Sequence, residues 1–183
     1  SQLAVHMDRC TLMKNMALAS SADMTGAFYS LRASNELENC SITENVCSTA
    51  VGAGLFQTWG YLRVRNCSIA RNTAASGGTY AGSGLYVHLH DAEQCEVINS
   101  VIWDNEPDDH QVMASLMDSS SCTMNYSCHN DNYPDYGGSQ LNDLSVGTGC
   151  ITSAPEMVEC DSHEIIFSLP GAGHYIARAR SRE

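Results

Sequence analysis

Residues able to do chemistry gather in three places. Asp104, Glu106, Asp108 and Asp109 follow one another around Pro107 and end at His110, and Asp131 and Asp135 lie near His129. Carboxylates brought together from neighbouring turns of a chain can ligate Ca²⁺, or can divide general-acid and general-base work on a glycosidic bond. They also read as a solvated acidic loop. His88 and His90 stand two apart on one strand face beside Asp91. That spacing can hold a metal with a carboxylate, and ordinary surface histidines show it too. Acidic sites of this kind use a basic residue beside the acids, yet the chain has only nine Lys and Arg. Arg63, Arg65, Arg178, Arg180 and Arg182 all lie far along the chain from the acids. The shortage argues away from catalysis. No catalytic residue and no metal site is assigned; Asp104, Asp108, Asp109 and His110 are the acidic candidates, no cofactor is implied, and Ca²⁺ alone is permitted.

Positioning these groups falls to an internal repeat. Five blocks align without gaps: DRCTLMKN from Asp8, ENCSITEN from Glu38, RNCSIARN from Arg65, INSVIWDN from Ile98 and NYSCHNDN from Asn125. Each closes on Asn: Asn15, Asn45, Asn72, Asn105 and Asn132, at spacings of 30, 27, 33 and 27. The third position is small (Cys10, Cys40, Cys67, Ser100, Ser127), and the fifth is Leu12, Ile42, Ile69, Ile102 and then His129. Side chains alternate along a strand, so positions three and five share an inward face while Asn39, Asn66 and Asn99 point out. The closing Asn suits a tight turn, because Asn tolerates left-handed backbone.

A second element follows each of the first three blocks: Gly26-Ala27-Phe28, Gly54-Leu55-Phe56 and Gly84-Leu85-Tyr86. Glycine opens a turn and another strand follows. Two strands per repeat at a period near 28, without helical periodicity, predict stacked β-coils whose like residues form ladders about 4.8 Å apart. Residues 1–136 are expected to form about five to six coils, and 137–183 an irregular capping segment of the same domain.

Stacking assigns roles to the remaining residues. Cys95 and Cys122, 27 apart, should lie on adjacent rungs within disulfide reach, and Cys150 with Cys160 could staple the tail. Cys10, Cys40 and Cys67 read as a buried thiol ladder rather than a tetrahedral metal site. Phe28, Phe56 and Tyr86 should form an outward aromatic column. With His88 and His90 it could bind sugar rings or a surface protein, or be covered by the tail or a neighbouring subunit.

The bulk composition narrows the class. A net charge of −12 excludes nucleic-acid backbones as partners. No apolar run is long enough to span a membrane. Nine cysteines without a CxxC pair point to an oxidising, secreted or cell-surface location. The triplets at Asn39, Asn66 and Asn125 fit glycosylation sequons, which the repeat itself also generates. Residues 1–9 offer no cap, so the first coil is expected to continue into further sequence or to stack end to end on another subunit, which would build a filament.

The pattern NC-S-I-x-x-N followed by G-x-G-L-[FY] resembles the right-handed parallel β-helices of the pectate-lyase-like superfamily, and in particular the degenerate repeats of bacterial surface proteins of the polymorphic outer membrane protein type. The resemblance runs over roughly residues 3–135. The block NSVIWDN at 99–105 is similar to the last regular coil of many secreted bacterial β-helix proteins, and Ala154-Pro155 with Leu169-Pro170-Gly171 partly echoes their terminal segment. The resemblance implies right-handedness. It does not imply one function, because the fold carries lyases, hydrolases, adhesins and passive stalks. The expectation is an all-β solenoid acting as a non-enzymatic extracellular scaffold: an adhesin, stalk or filament subunit. The alternatives are a carbohydrate-active enzyme built on the acids and a carbohydrate-binding module built on the aromatic column.

Overall fold

Short strands, several of alternating burial and several followed by a residue with left-handed backbone, wind the chain into stacked coils. The computed structural model describes residues 4–17, 26–48, 53–74, 83–106, 112–129, 144–159, 165–169 and 172–176. The first coil holds β1 (Ala4–Asp8), β2 (Thr11–Met13), β3 (Met16–Ala17) and β4 (Phe28–Leu31). The second holds β5 (Ser34–Glu38), β6 (Ser41–Thr43), β7 (Val46–Cys47) and β8 (Leu55–Thr58). The third holds β9 (Leu62–Arg65), β10 (Ser68–Ala70), β11 (Thr73–Ala74) and β12 (Leu85–Leu89). The fourth holds β13 (Gln94–Ile98), β14 (Val101–Trp103) and β15 (Val112–Leu116), and Glu106 bridges to Thr73 in place of a third strand. Then come β16 (Ser121–Asn125), β17 (Cys128–His129) and β18 (Leu144–Val146).

Every pairing among these strands is parallel and joins a strand to its counterpart one coil away, as in the order β1-β5-β9-β13-β16-β18. The product is a β-solenoid of about four turns, fewer than the five to six expected, with no helix among the described residues. β18 adds a rung beyond β16, and Ile151 bridges to Cys128. Beyond it, β19 (Glu156–Glu159), β20 (Ile165–Leu169) and β21 (Ala172–Ile176) form an antiparallel sheet.

The interior is built in columns. Leu12, Ile42, Ile69 and Ile102 stand in register, as do Met7, Leu37, Val64, Val97 and Met124. Ile42, Ile69 and Ile102 are fully buried, each contributing about 1.5–3 kcal/mol through loss of contact with water. His129 takes the next place above Ile102 and is itself buried.

Polar columns bind one coil to the next. Asn45 Oδ1 accepts from both nitrogens of Asn15, Asn72 Oδ1 from both of Asn45, and Asn105 Oδ1 from both of Asn72. The side-chain amides of Asn45, Asn72 and Asn105 also donate to the Leu12, Ile42 and Ile69 carbonyls. These side chains turn inward. The left-handed backbone belongs instead to the residue before each, Lys14, Glu44, Arg71 and Asp104, at φ 55–57°. Asn132 lies outside the described residues. A second left-handed column, Arg9, Asn39, Asn66, Asn99 and Tyr126, turns each first strand into the second. Its backbone N–H groups still bond to the next coil, which offsets the steric cost of the conformation.

Coil length varies in only two places. From third to fourth strand the chain runs from Ala17 to Phe28, Cys47 to Leu55 and Ala74 to Leu85. At the last corner it takes a short path from Leu31 to Asn35 and Thr58 to Leu62, and a longer one from His88 to Cys95 and Ser115 to Cys122. The unequal spacings of the Asn column come from these two connections alone.

Candidate functional site

The cysteines form a hydrogen-bonded column rather than cross-links. Cys40 N donates to Cys67 Sγ at 3.4 Å, Cys67 N to Ser100 Oγ at 3.1 Å, and Ser100 N to Ser127 Oγ at 3.1 Å. Each side chain also donates back to the carbonyl two residues earlier, as Cys67 does to Arg65 and Ser100 to Ile98. The third repeat position is therefore small and polar for a bonding reason, which explains why Ser replaces Cys in later coils. The hydrogen bond with Cys40, together with burial, pushes the Cys67 thiol well above its ordinary value.

Cys95 and Cys122 are register partners, yet both are free thiols; the expected disulfide is not present. Side chains of in-register parallel neighbours run side by side, so their Cβ atoms keep the strand spacing of about 4.8 Å. A disulfide needs them at about 3.5–4.5 Å. Cys10, Cys128 and Cys150 are not disulfide-bonded either. Cys160 lies outside the described residues.

The aromatic column differs from its expected membership. Tyr29, Phe56 and Tyr86 are register partners, with ring centroids 5.2 and 4.9 Å apart and planes within 6° and 21°. Phe28 pairs with Leu55, which in turn pairs with Leu85, and packs against the core. Gly26 misleads the alignment, because Ala27 holds the place of Gly54. The column is also not an exposed platform: Phe56 is 0% and Tyr86 4% exposed, with only Tyr29 open at 44%.

Of the acidic candidates only Asp104 is described; Asp108, Asp109 and His110 lie outside. Its carboxylate faces Arg71 Nε at 3.7 Å from the coil below, a cation that distance along the chain concealed. No group of three or more His, Cys, Asp or Glu among the described residues could hold a metal. Other surface charges pair between coils too. Arg63 stands between Glu36 (3.4 Å) and Glu96 (3.0 Å), and Arg65 meets Glu38 at 3.1 Å. Tyr61 donates to the Glu96 carboxylate at 3.1 Å, and burial and that charge push its phenol up.

The densest cluster of functional side chains sits at the last corner, where the path lengthens between coils two and three. The Arg32 guanidinium lies 3.8 Å from the Trp59 ring centroid, and His90 approaches the same indole edge-on at 5.5 Å. His88 and His90 contact each other through Nε2 atoms 2.9 Å apart. The longer corner, through Asp91 and Ala92 at φ 53° and 63°, carries Glu93, whose carboxylate accepts from His90 N at 3.0 Å. Beneath it the fully buried Gln57 donates to the carbonyls of Ala33 and Trp59 and accepts from Asn35, fixing two corners from inside. Gly60, at φ 91°, has no room for a side chain, because a Cβ would strike the Ala33 carbonyl. Burial, and then the charge of His90, pushes His88 below the ordinary histidine range. Sequence periodicity points to His88 and His90; Arg32, Trp59, Gln57 and Glu93 carry no repeated signal.

No helix among the described residues is long and apolar enough to cross a membrane. Comparison with curated proteins and with solved structures gave no match in either case. The family model described as right handed beta helix region matches residues 1–164, in accord with the all-parallel coils, and the chain belongs to the right-handed β-helix family.

Proposed function

We propose that this protein is a structural β-solenoid, a stiff extracellular or cell-surface segment that presents side chains at fixed intervals and lengthens by stacking on a second copy of itself. The observation that carries the reading is the uninterrupted Asn15–Asn45–Asn72–Asn105 column, which locks each coil to the next through buried side chains. Buried amides spent on inter-coil bonding stiffen an axis. The ion pairs point the same way, since Asp104 is engaged by Arg71 and the Glu36–Arg63–Glu96 charges are spent on cohesion between coils. The likeness of the repeat to polymorphic outer membrane protein-type surface proteins supports the same class.

The first coil offers an edge that a further coil, of the same chain or of a second copy, can pair with. Its strands β1, β2, β3 and β4 each have one neighbour among the described residues, and Met16 and Val5 are 65% and 43% exposed. Asn15 Oδ1 occupies the place where Asn45 and Asn72 each accept from a preceding coil. A coil of the same pattern is the partner that fits such an edge.

Sedimentation velocity over a wide concentration range tests the reading. We expect elongated species that grow with concentration, and growth abolished by Val5→Lys with Met16→Lys. A strictly monomeric wild-type chain overturns the stacking. Release of fragments from neutral or acidic polysaccharides, with or without Ca²⁺, would overturn the structural role in favour of a carbohydrate-active enzyme.

A further inference from the structure

We propose that His88 and His90 form a chelating site for a divalent transition metal that favours tetragonal geometry, Cu²⁺ or Ni²⁺. His88 lies on β12 and His90 directly follows its last residue, the buried Leu89. Their Nε2 atoms converge to 2.9 Å, with ring centroids 4.7 Å apart and planes at 75°. The rings therefore meet at their nitrogen edges rather than face to face. With metal–nitrogen bonds of about 2.0–2.1 Å, nitrogens 2.9 Å apart subtend about 90° at the metal. A tetrahedral ion would hold them about 3.3 Å apart. The observed separation matches a cis pair in a square-planar or tetragonal field, which Cu²⁺ and Ni²⁺ prefer.

The surroundings hold the pair ready. His88 is half-buried with Nδ1 enclosed, so Nε2 is the nitrogen it turns to a ligand. His90 is set by the Trp59 edge contact and by the bond from its backbone N–H to Glu93. A preset chelate binds without ordering its ligands at the moment of capture. Both imidazoles coordinate in their neutral form, so binding is expected to weaken as pH falls. With no third His, Cys, Asp or Glu within reach among the described residues, the remaining positions fall to water or to an exchangeable ligand, so the site is open.

Titration of the full chain with Cu²⁺ at neutral pH, followed by calorimetry and electron paramagnetic resonance, tests this. We expect a tetragonal signal with hyperfine coupling to two nitrogens. Affinity should fall at least about tenfold in both His88→Gln and His90→Gln, since each removes one of two imidazoles. His6→Gln, on the outer face of β1 beside Glu36, should leave the site unchanged. Thermal unfolding in the presence of a chelator shows whether each variant is folded, and either folded variant suffices. Unaltered affinity and nitrogen coupling in a folded His88 or His90 variant would overturn the site while leaving the structural reading untouched.

Discussion

Asn72 Oδ1 accepts from both nitrogens of Asn45, at 3.1 Å from the backbone N–H and 2.8 Å from the side-chain amide. Its own amide reaches Ile42 O at 2.9 Å and Asn105 Oδ1 at 2.8 Å. Asn72→Ala therefore strands donors on one side and acceptors on the other. Unpaired buried groups cost about 1–3 kcal/mol each, so a loss of about 2–4 kcal/mol is expected in denaturant unfolding. Asn72→Asp should cost more at neutral pH, because a carboxylate cannot donate to Ile42 O and Asn105 Oδ1 and is buried without a cation. A milder effect from Asp than from Ala would refute the hydrogen-bonding role.

The thiol column makes an opposite forecast for a polar exchange. Cys67→Ser keeps an acceptor for Cys40 N and a donor for Arg65 O, as Ser100 and Ser127 already do in their coils. It should change stability by less than about 1.5 kcal/mol. Cys67→Val, apolar and larger, strips the acceptor from a buried N–H and should be the more damaging of the two. Paired urea titrations decide the order.

Thiol reactivity offers a check that needs no variant. The thiolate is the nucleophile, so a pKa raised by burial lowers reactivity at a given pH. Burial pushes Cys128 up to about 11, and the contact with Cys122 together with burial raises Cys95. Iodoacetamide at pH 8 should label the half-buried Cys10 and Cys150 ahead of Cys67, Cys95 and Cys128 in the native protein. Denaturant should equalise the rates. Peptide mass mapping reads the result, and equal native labelling would contradict the buried ladder.

Surface charge gives a salt-dependent forecast. Arg63→Glu would line up three carboxylates with Glu36 and Glu96, which are register neighbours of Arg63 on its two sides. The groups are partly solvated, so the loss should be modest, about 1 kcal/mol, and should shrink as salt is added. Melting curves at low and high ionic strength measure it.

The coils were legible because Asn45, Ile42 and Cys40 recur as the same or similar residues whenever the chain returns to the same place. Where the returning residue changes type, periodicity is silent. Arg32 and Trp59 share a repeat position but differ in type, and His90 falls one residue beyond it, so their contact needs coordinates. The aromatic column went astray by one residue because Gly26 looks like the anchor that Ala27 provides. The proximity of Cys95 and Cys122 follows from spacing, but bond formation depends on the direction of two Cβ vectors, which spacing does not encode. Arg71 and Asp104 lie far apart in sequence and adjacent in space, the usual consequence of a coil that brings residue i next to one roughly a full turn later.

Because the axial bonding groups sit between the first and third strands of every coil, while length differences collect between third and fourth strand and at the last corner, pitch and ornament are governed by separate stretches of chain. Peptides of different size could be grafted between Ala74 and Leu85, or between His90 and Cys95, without altering the rise from one Asn to the next. Lineages of such a molecule can thus diversify what each storey displays while the staircase itself stays the same.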